Sequence, residues 1–431
     1  MKYYSTNLQA PRVGLKEAVV NSMAPDKGLY MPEYIPQMPT SFFEEIEGLC
    51  LQEIALRVAQ ALMGEDVEES VLRHIVYEAL NFDFPIVKVA PKLYSLELFH
   101  GPTLAFKDVG ARFMARLLRH FLRERQQVNV LVATSGDTGS AVANGFLGVE
   151  GIHVDVLYPR GRVSPIQEMQ FATLGRNITA IAVEGTFDNC QAIVKLAFAD
   201  RELNARFCLT SANSINLARL LPQCFYYFYA YAQMKCMGKT EDLVLCVPSG
   251  NFGNLAAGLI AHQMGLPIKR FVAANNSNDV FHQYLITGRF EPRASVRTMA
   301  NAMDVGNPSN FARISSLFHQ NLESIRNVIS GYTVTDEDIM QTILDVYQRY
   351  HYLLDPHGAC AFKAISESLK EGEHGVFLET AHPAKFTESM TAIIGKEPEI
   401  PERLKAFMNS VKKTVVLDND FNSFKSYLLN R

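Results

Sequence analysis

One lysine and three small-residue loops carry most of the chemistry this sequence could perform. Lys107 stands in LFHGPTLAFKDVGARFMARLLRHF and is the only lysine between Lys92 and Lys195, although the interval contains Arg112, Arg116, Arg119, Arg123, Arg125, Arg160, Arg162 and Arg176. A stretch that uses arginine for its charge singles out the position where it does not. Arginine keeps its proton at any workable pH, whereas a lysine set among Leu104, Ala105 and Phe106 can lose it and act as an amine nucleophile. The apolar spacing of Phe113, Met114, Leu117, Leu118 and Phe121 predicts a helix that Lys107 enters at its positive end, where a cation is disfavoured. The same facts also suit a lysine snorkelling from a helix start beside Asp108.

Two loops read as anion cradles. TSGDTGSA (134–141) follows the strand-like VNVLVA and places Ser135, Gly136, Asp137 and Thr138 at its turn. SGNFGN follows LVLCVP and comprises Ser249, Gly250, Asn251, Phe252, Gly253 and Asn254. Small residues between a strand and a helix let an anion approach free backbone N–H groups, but either loop can equally be a tight connection with an ordinary N-cap. In TSANSINLAR (210–219), Asn213, Ser214 and Arg219 can hold a dianion where a strand ends and a long helix is expected, or serve as a capping pair with a surface arginine. The first two loops lack GxGxxG and GK[ST], which disfavours nicotinamide and ATP. A nucleophilic lysine with one phosphate site for an aldehyde cofactor and one for a substrate fits pyridoxal 5'-phosphate, which links to lysine and needs a cradle for its phosphate.

The elements that must position these groups read as α/β. Helix-like spacing covers Leu49 to Met63 and Val67 to Leu80; from about 84 onward β-branched runs (VNVLVAT, HVDVLYP, NITAIAVEG, RFCLTS, then LVLCVPS, KRFVAAN and GVFLETAH) alternate with helical periodicity. This alternation predicts βαβ units and parallel sheets, in two α/β units. CFYYFYAYAQM (224–234) reads as a buried helix rather than a stacking platform. At 431 residues, with 41 Lys+Arg against 45 Asp+Glu, the chain is long enough for two or three domains and too evenly charged for a nucleic-acid or membrane-surface binder. The segment MKYYSTNLQAPRVG has no signal-peptide pattern, so a cytoplasmic location is expected. Seven cysteines without CxxC read as reduced core residues, and histidines without HExxH give no support for a metal.

LELFHGPTLAFKD, TSGDTGSA, LYPRGRVSPIQ, SANSINLAR, PSGNFGN and ETAHPAKF together resemble the threonine synthase family, from DKGLYMPEYIP to about residue 395. The resemblance implies the tryptophan-synthase-β-like pyridoxal-phosphate fold (fold type II): two open, mainly parallel α/β lobes with a mostly helical N-terminal region. It places the N-terminal region at 1–95, the smaller lobe at 115–220, the larger cofactor-binding lobe at 96–114 and 221–400, and a C-terminal extension at 401–431. The implied reaction turns O-phospho-L-homoserine and water into L-threonine and phosphate. Lys107 would be the Schiff-base lysine and would take the α proton. Ser249 and the Gly250–Asn254 loop would hold the cofactor phosphate, and Thr380 of ETAHPAKF would meet the pyridine nitrogen. Ser135, Gly136, Asp137 and Thr138 would receive the amino-acid part of the substrate, with Asp137 an awkward neighbour for a carboxylate. Asn213, Ser214 and Arg219 would bind its phosphate. The partner is a small molecule, without nucleic acid, membrane or metal, and the protein is a monomer or homodimer. A phospholyase or a serine/threonine dehydratase on the same fold, or a non-catalytic binder that kept it, are the competing functions.

Overall fold

Aliphatic and β-branched runs bounded by Gly, Pro, Asn and Ser form strands, and the amphipathic stretches between them cover both faces of the resulting sheets. In the computed structural model, which describes residues 1–122 and 127–431, the strands in chain order are β1 (Tyr3–Ser5), β2 (Tyr30–Pro32), β3 (Ile86–Ala90), β4 (Leu93–Glu97), β5 (Val128–Ala133), β6 (Ile152–Pro159), β7 (Ile178–Glu184), β8 (Cys208–Ser211), β9 (Leu243–Pro248), β10 (Arg270–Asn275), β11 (Ile329–Thr333), β12 (His374–Glu379) and β13 (Thr414–Asp418). Arg123 and Arg125, counted above, lie outside the described residues.

Two sheets dominate. One has the order β11-β10-β9-β12-β4-β3, the other β13-β7-β6-β5-β8. Every pairing in them is parallel except β3 with β4. β5 and β9 are buried along their whole length, as parallel strands covered on both faces should be. The expected α/β architecture is present.

Strands from both ends of the chain join these sheets. β3 and all but the end of β4 fall within 1–95 yet join the larger sheet, and β13, from the 401–431 segment, forms an edge of the smaller one. Helices Leu51–Met63 and Glu69–Ala79 match the expected N-terminal ones. The long helix expected after RFCLTS is broken: a single turn (Leu217–Leu220) and a 3-10 turn containing Pro222 precede the helix Cys224–Cys236, because proline has no N–H to continue the ladder. Cys190, Cys224, Cys246 and Cys360 are buried, whereas Cys50 and Cys236 are exposed, so the core reading applies to four of the seven.

The N-terminal region supports the segment after β8. Ser22 shares a hydrogen bond with Thr210 (2.7 Å) and accepts one from the Ser211 N–H (2.9 Å), while the Asn216 amide donates to Val19 O (2.9 Å) and Ser22 Oγ (3.0 Å).

Candidate active site

In open parallel sheets, ligands bind beyond the carboxyl ends of the strands. Five segments singled out in the sequence follow such ends: Lys107 after β4, Ser135–Thr138 after β5, Asn213–Arg219 after β8, Ser249–Asn254 after β9 and Thr380 after β12. The chain ties them together. Phe106 N–H donates to Thr380 O (2.9 Å) and His382 N–H to Leu104 O (3.1 Å), so the end of β12 runs alongside the approach to Lys107.

Lys107 begins the helix Lys107–Phe121, whose apolar face (Phe113, Met114, Leu117, Leu118, Phe121) is buried as expected. Its side chain is half-buried, with Nζ 4.8 Å from the centre of the Phe106 ring. Among the described residues no hydrogen bond or ion pair engages that nitrogen. Burial pushes its pKa down; Asp137 and Asp355 pull it up, Lys385 and Arg219 push it further down, and the net shift is downward. Asp108, offered by the sequence as an ion-pair partner, instead accepts from Thr103 N–H (2.9 Å) and Thr103 Oγ1 (2.6 Å). Lys107 Nζ is left without a polar partner among the described residues.

Asp137 opens the helix Asp137–Phe146. Thr134 Oγ1 takes the N–H groups of Gly136 (3.0 Å) and Gly139 (2.8 Å), while those of Asp137 and Thr138 lie in the first turn, where an intrahelical acceptor is missing. Ser135 and Thr138 are half-buried beside them. The Asp137 carboxylate, awkward in the sequence, has a partner the sequence did not reveal: Lys385 Nζ lies 2.5 Å from Oδ1, with both side chains buried. Gln167 Nε2 donates to the same oxygen (2.8 Å). Burial alone would raise the Asp137 pKa, but Lys385 and Lys107 hold it well below the carboxylate range. The pair leaves a locally neutral floor on which a substrate carboxylate can sit.

The second cradle is built for close approach. A Cβ on Gly250 would lie 2.7 Å from Met303 Cα and 2.9 Å from Ala302 O, so glycine is required for this loop to pack there. Phe252 has φ 60°, a left-handed conformation that costs a side chain about 1–2 kcal/mol, and the helix Gly253–Gln263 starts directly after it. The Ser249 hydroxyl donates to Val247 O (2.9 Å). Tyr226 and Tyr227, taken from the sequence as core aromatics, are buried, and their hydroxyls donate to Asn254 Oδ1 at 2.6 and 2.7 Å. They fix the Asn254 amide while its Nδ2 stays buried without a partner. An unused buried donor at a helix start, in a loop of small residues, fits a phosphate.

The third loop adjoins the second. Ser214 Oγ accepts from Asn251 Nδ2 (2.7 Å) and Asn310 Nδ2 (3.2 Å), and Asn213 Nδ2 donates to Ala133 O (3.1 Å). Arg219 is buried, not on the surface. Its Nη1 donates to Ala212 O (2.5 Å), whereas Nε has no partner. Burial lowers its pKa to about 10, against the pull of Asp108, so the guanidinium is charged at neutral pH. Gly110, one turn beyond Lys107, allows this approach, since a Cβ there would lie 3.1 Å from Arg219 Nε. A second buried guanidinium, Arg313, donates to Ser214 O (2.9 Å), Ile215 O (2.6 Å) and Asn310 Oδ1 (2.7 Å), holding the loop from behind. Sequence reasoning missed Arg313, Asn310, Gln167 and Lys385. For Lys385 there was a signal: a lone lysine in the apolar segment AHPAKF resembles Lys107 in FKD.

Three family models match the chain: threonine synthase N terminus over residues 2–80, pyridoxal-phosphate dependent enzyme over 86–380, and threonine synthase, C-terminal, over 358–428. The threonine synthase of Haemophilus influenzae is 45% identical over 429 residues, covering 100% of both chains, and that of Escherichia coli is 41% identical over 430 residues with the same coverage. Among solved structures, Escherichia coli threonine synthase superposes with a TM-score of 0.94 at 41% identity over 100% of both chains. A PLP-bound threonine synthase from Brucella melitensis gives 0.93 at 35% identity, covering 100% of this chain and 99% of its own.

Proposed function

The chain belongs to the threonine synthase family of pyridoxal-phosphate-dependent enzymes and forms threonine with that cofactor, and from this premise we propose that it acts on O-phospho-L-homoserine and water, releasing phosphate. The observation that carries this choice of substrate is a second anion site next to the cofactor cradle, with Arg219 buried, charged and holding an unused Nε donor. An unphosphorylated substrate would leave that cation without a counterion.

In this reading Lys107 would hold the cofactor aldehyde, Ser249 to Asn254 its phosphate, and the neutral Thr380 hydroxyl its ring nitrogen. The bound cofactor supplies an electron-withdrawing ring that takes up the charge left on the substrate's α carbon. Ser135 to Thr138 receive the substrate carboxylate on free N–H groups, next to an Asp137 already neutralised by Lys385. Lys107 Nζ, without a polar partner among the described residues and with its pKa lowered by burial, would take the α proton once the substrate amine has replaced it on the aldehyde, and can serve again at the β carbon. Asn213, Ser214 and Arg219 hold the phosphate as it leaves the γ carbon; the γ carbon then takes up a proton, water adds at the β carbon, and a proton returned to the α carbon completes threonine.

In this proposal residues 115–220 with β13 of the 401–431 extension form the smaller lobe, and 96–114 and 221–400 with β3 and the start of β4 from the 1–95 segment form the larger. The proposal places the enzyme in the cytoplasm, as a monomer or homodimer with a small-molecule substrate, no nucleic acid and no metal. Among the described residues no helix is long and apolar enough to cross a membrane.

Incubation with O-phospho-L-homoserine followed by identification of the products tests the reaction: threonine and phosphate are expected, whereas a ketoacid and ammonia would make the protein a phospholyase. Asn254→Leu tests the cradle. It should weaken pyridoxal 5'-phosphate by about 10- to 100-fold, the worth of a hydrogen bond to a charged group, and leave the affinity for pyridoxal, which lacks the phosphate, nearly unchanged in a direct binding titration.

A further inference from the structure

We propose that Lys385 is a positioning residue whose ion pair with Asp137 keeps that carboxylate away from Lys107, leaving the Lys107 amine free to react. The inference deepens the reading above and rests on its assignment of Lys107 as the reactive amine.

The charged groups that act most strongly on Lys107 each come from a different segment: Asp137 from the helix Asp137–Phe146, Lys385 from the 3-10 turn Pro383–Phe386, Arg219 from the turn Leu217–Leu220, and Asp355 from just before the helix Pro356–Ser368. Two are carboxylates, and a buried carboxylate beside a lysine would ordinarily hold it as an ammonium ion. Each carboxylate is engaged elsewhere. Asp355 Oδ1 meets His357 Nδ1 (2.6 Å) and accepts from the His357 N–H (2.7 Å), and its Oδ2 accepts from the Ala381 N–H (3.2 Å). Asp137 Oδ1 takes Lys385 Nζ (2.5 Å) and Gln167 Nε2 (2.8 Å).

Lys385 is itself fixed, because Nζ also donates to Thr103 O (2.8 Å), which Gln170 Nε2 shares (3.0 Å). Lys107, by contrast, has only the Phe106 ring against its nitrogen among the described residues. The site thus holds two lysines, Lys385 buried and Lys107 half-buried, and gives the acid to Lys385. Without Lys385, Asp137 would keep Gln167 as a neutral partner, and Lys107 would be the cation left to neutralise it.

The test reads the amine directly. Full-length protein freed of cofactor is mixed with pyridoxal 5'-phosphate across a pH series and quenched with borohydride, and the Lys107 adduct is measured by peptide mass spectrometry. The rate rises with pH as the amine loses its proton. In Lys385→Met the midpoint should move up by about one pH unit, a tenfold slower rate on the acid side. In Asp137→Asn it should move down, and the double variant should return close to wild type, since one influence of each sign is gone. Lys385→Arg, which keeps the charge, should stay near wild type. A merely structural role would lower the rate at every pH without moving the midpoint. An unmoved midpoint in Lys385→Met, or a double variant displaced as far as that single one, overturns the proposal. Should Lys385→Met fail to fold, Asp137→Asn decides alone, and a midpoint that does not fall overturns it. No Lys107 adduct in the wild type would instead overturn the assignment of Lys107.

Discussion

Lys107→Ala is expected to lower threonine formation by at least about a thousandfold, because one substitution removes both the amine that holds the cofactor and the base that moves the proton. No neighbour can stand in. Lys385, the other lysine at the site, is tied to Asp137 and Thr103 O, and Arg219 does not act as a base. Lys107→Arg should fail equally, since a guanidinium keeps its proton. The fold should be unaffected: among the described residues Lys107 Nζ makes no hydrogen bond or ion pair, so the melting temperature of the cofactor-free variant should match that of cofactor-free wild type. Steady-state turnover, the visible absorption band of the bound cofactor and a melting curve check the three statements. Normal turnover in Lys107→Ala would refute the assignment.

Arg219→Ala is expected to reduce kcat/KM for O-phospho-L-homoserine by about a hundredfold, the upper range for losing a hydrogen bond to a charged group in a buried site. The pocket would keep Asn213 and Ser214, but both are neutral and both already bond to protein, through Ala133 O, Asn251 and Asn310. Affinity for pyridoxal 5'-phosphate should change far less. The arginine also sets a pH dependence. Burial lowers its pKa to about 10, so its charged form is intact at neutral pH and is lost as pH rises through that value. Its contribution to substrate-phosphate binding should follow, present at neutral pH and fading as pH nears about 10. Folding responds in the opposite sense: burying the cation disfavours the native state below that pKa, so losing the charge as pH rises should not by itself destabilise the protein. A wild-type kcat/KM in Arg219→Ala would place the substrate phosphate elsewhere.

Much of the fold was legible because parallel strands buried on both faces leave continuous apolar runs such as VNVLVA and LVLCVP, with Gly-rich turns marking their carboxyl ends. What the sequence hid was pairing between distant segments. β3 and β4 looked like part of an N-terminal region because chain proximity, not sheet membership, was visible. The helix after β8 seemed unbroken because its apolar pattern runs through Pro222. At the site, the lysine stood out through composition, but Arg219 read more readily as a surface residue; only the fold shows it buried against Gly110. Asp137 looked misplaced because its partner is 248 positions away in the chain. Tyr226 and Tyr227 were legible as core, yet their hydroxyls hold Asn254, a task that helical spacing does not encode.

Borohydride reduction of the holoprotein as purified, followed by peptide mass spectrometry, tests the central claim most directly. The account predicts a reduced pyridoxyl phosphate adduct on the peptide containing Lys107 and on no other lysine, Lys385 included. An adduct on a different residue, or a cofactor-loaded protein whose Lys107 is unmodified, would contradict it.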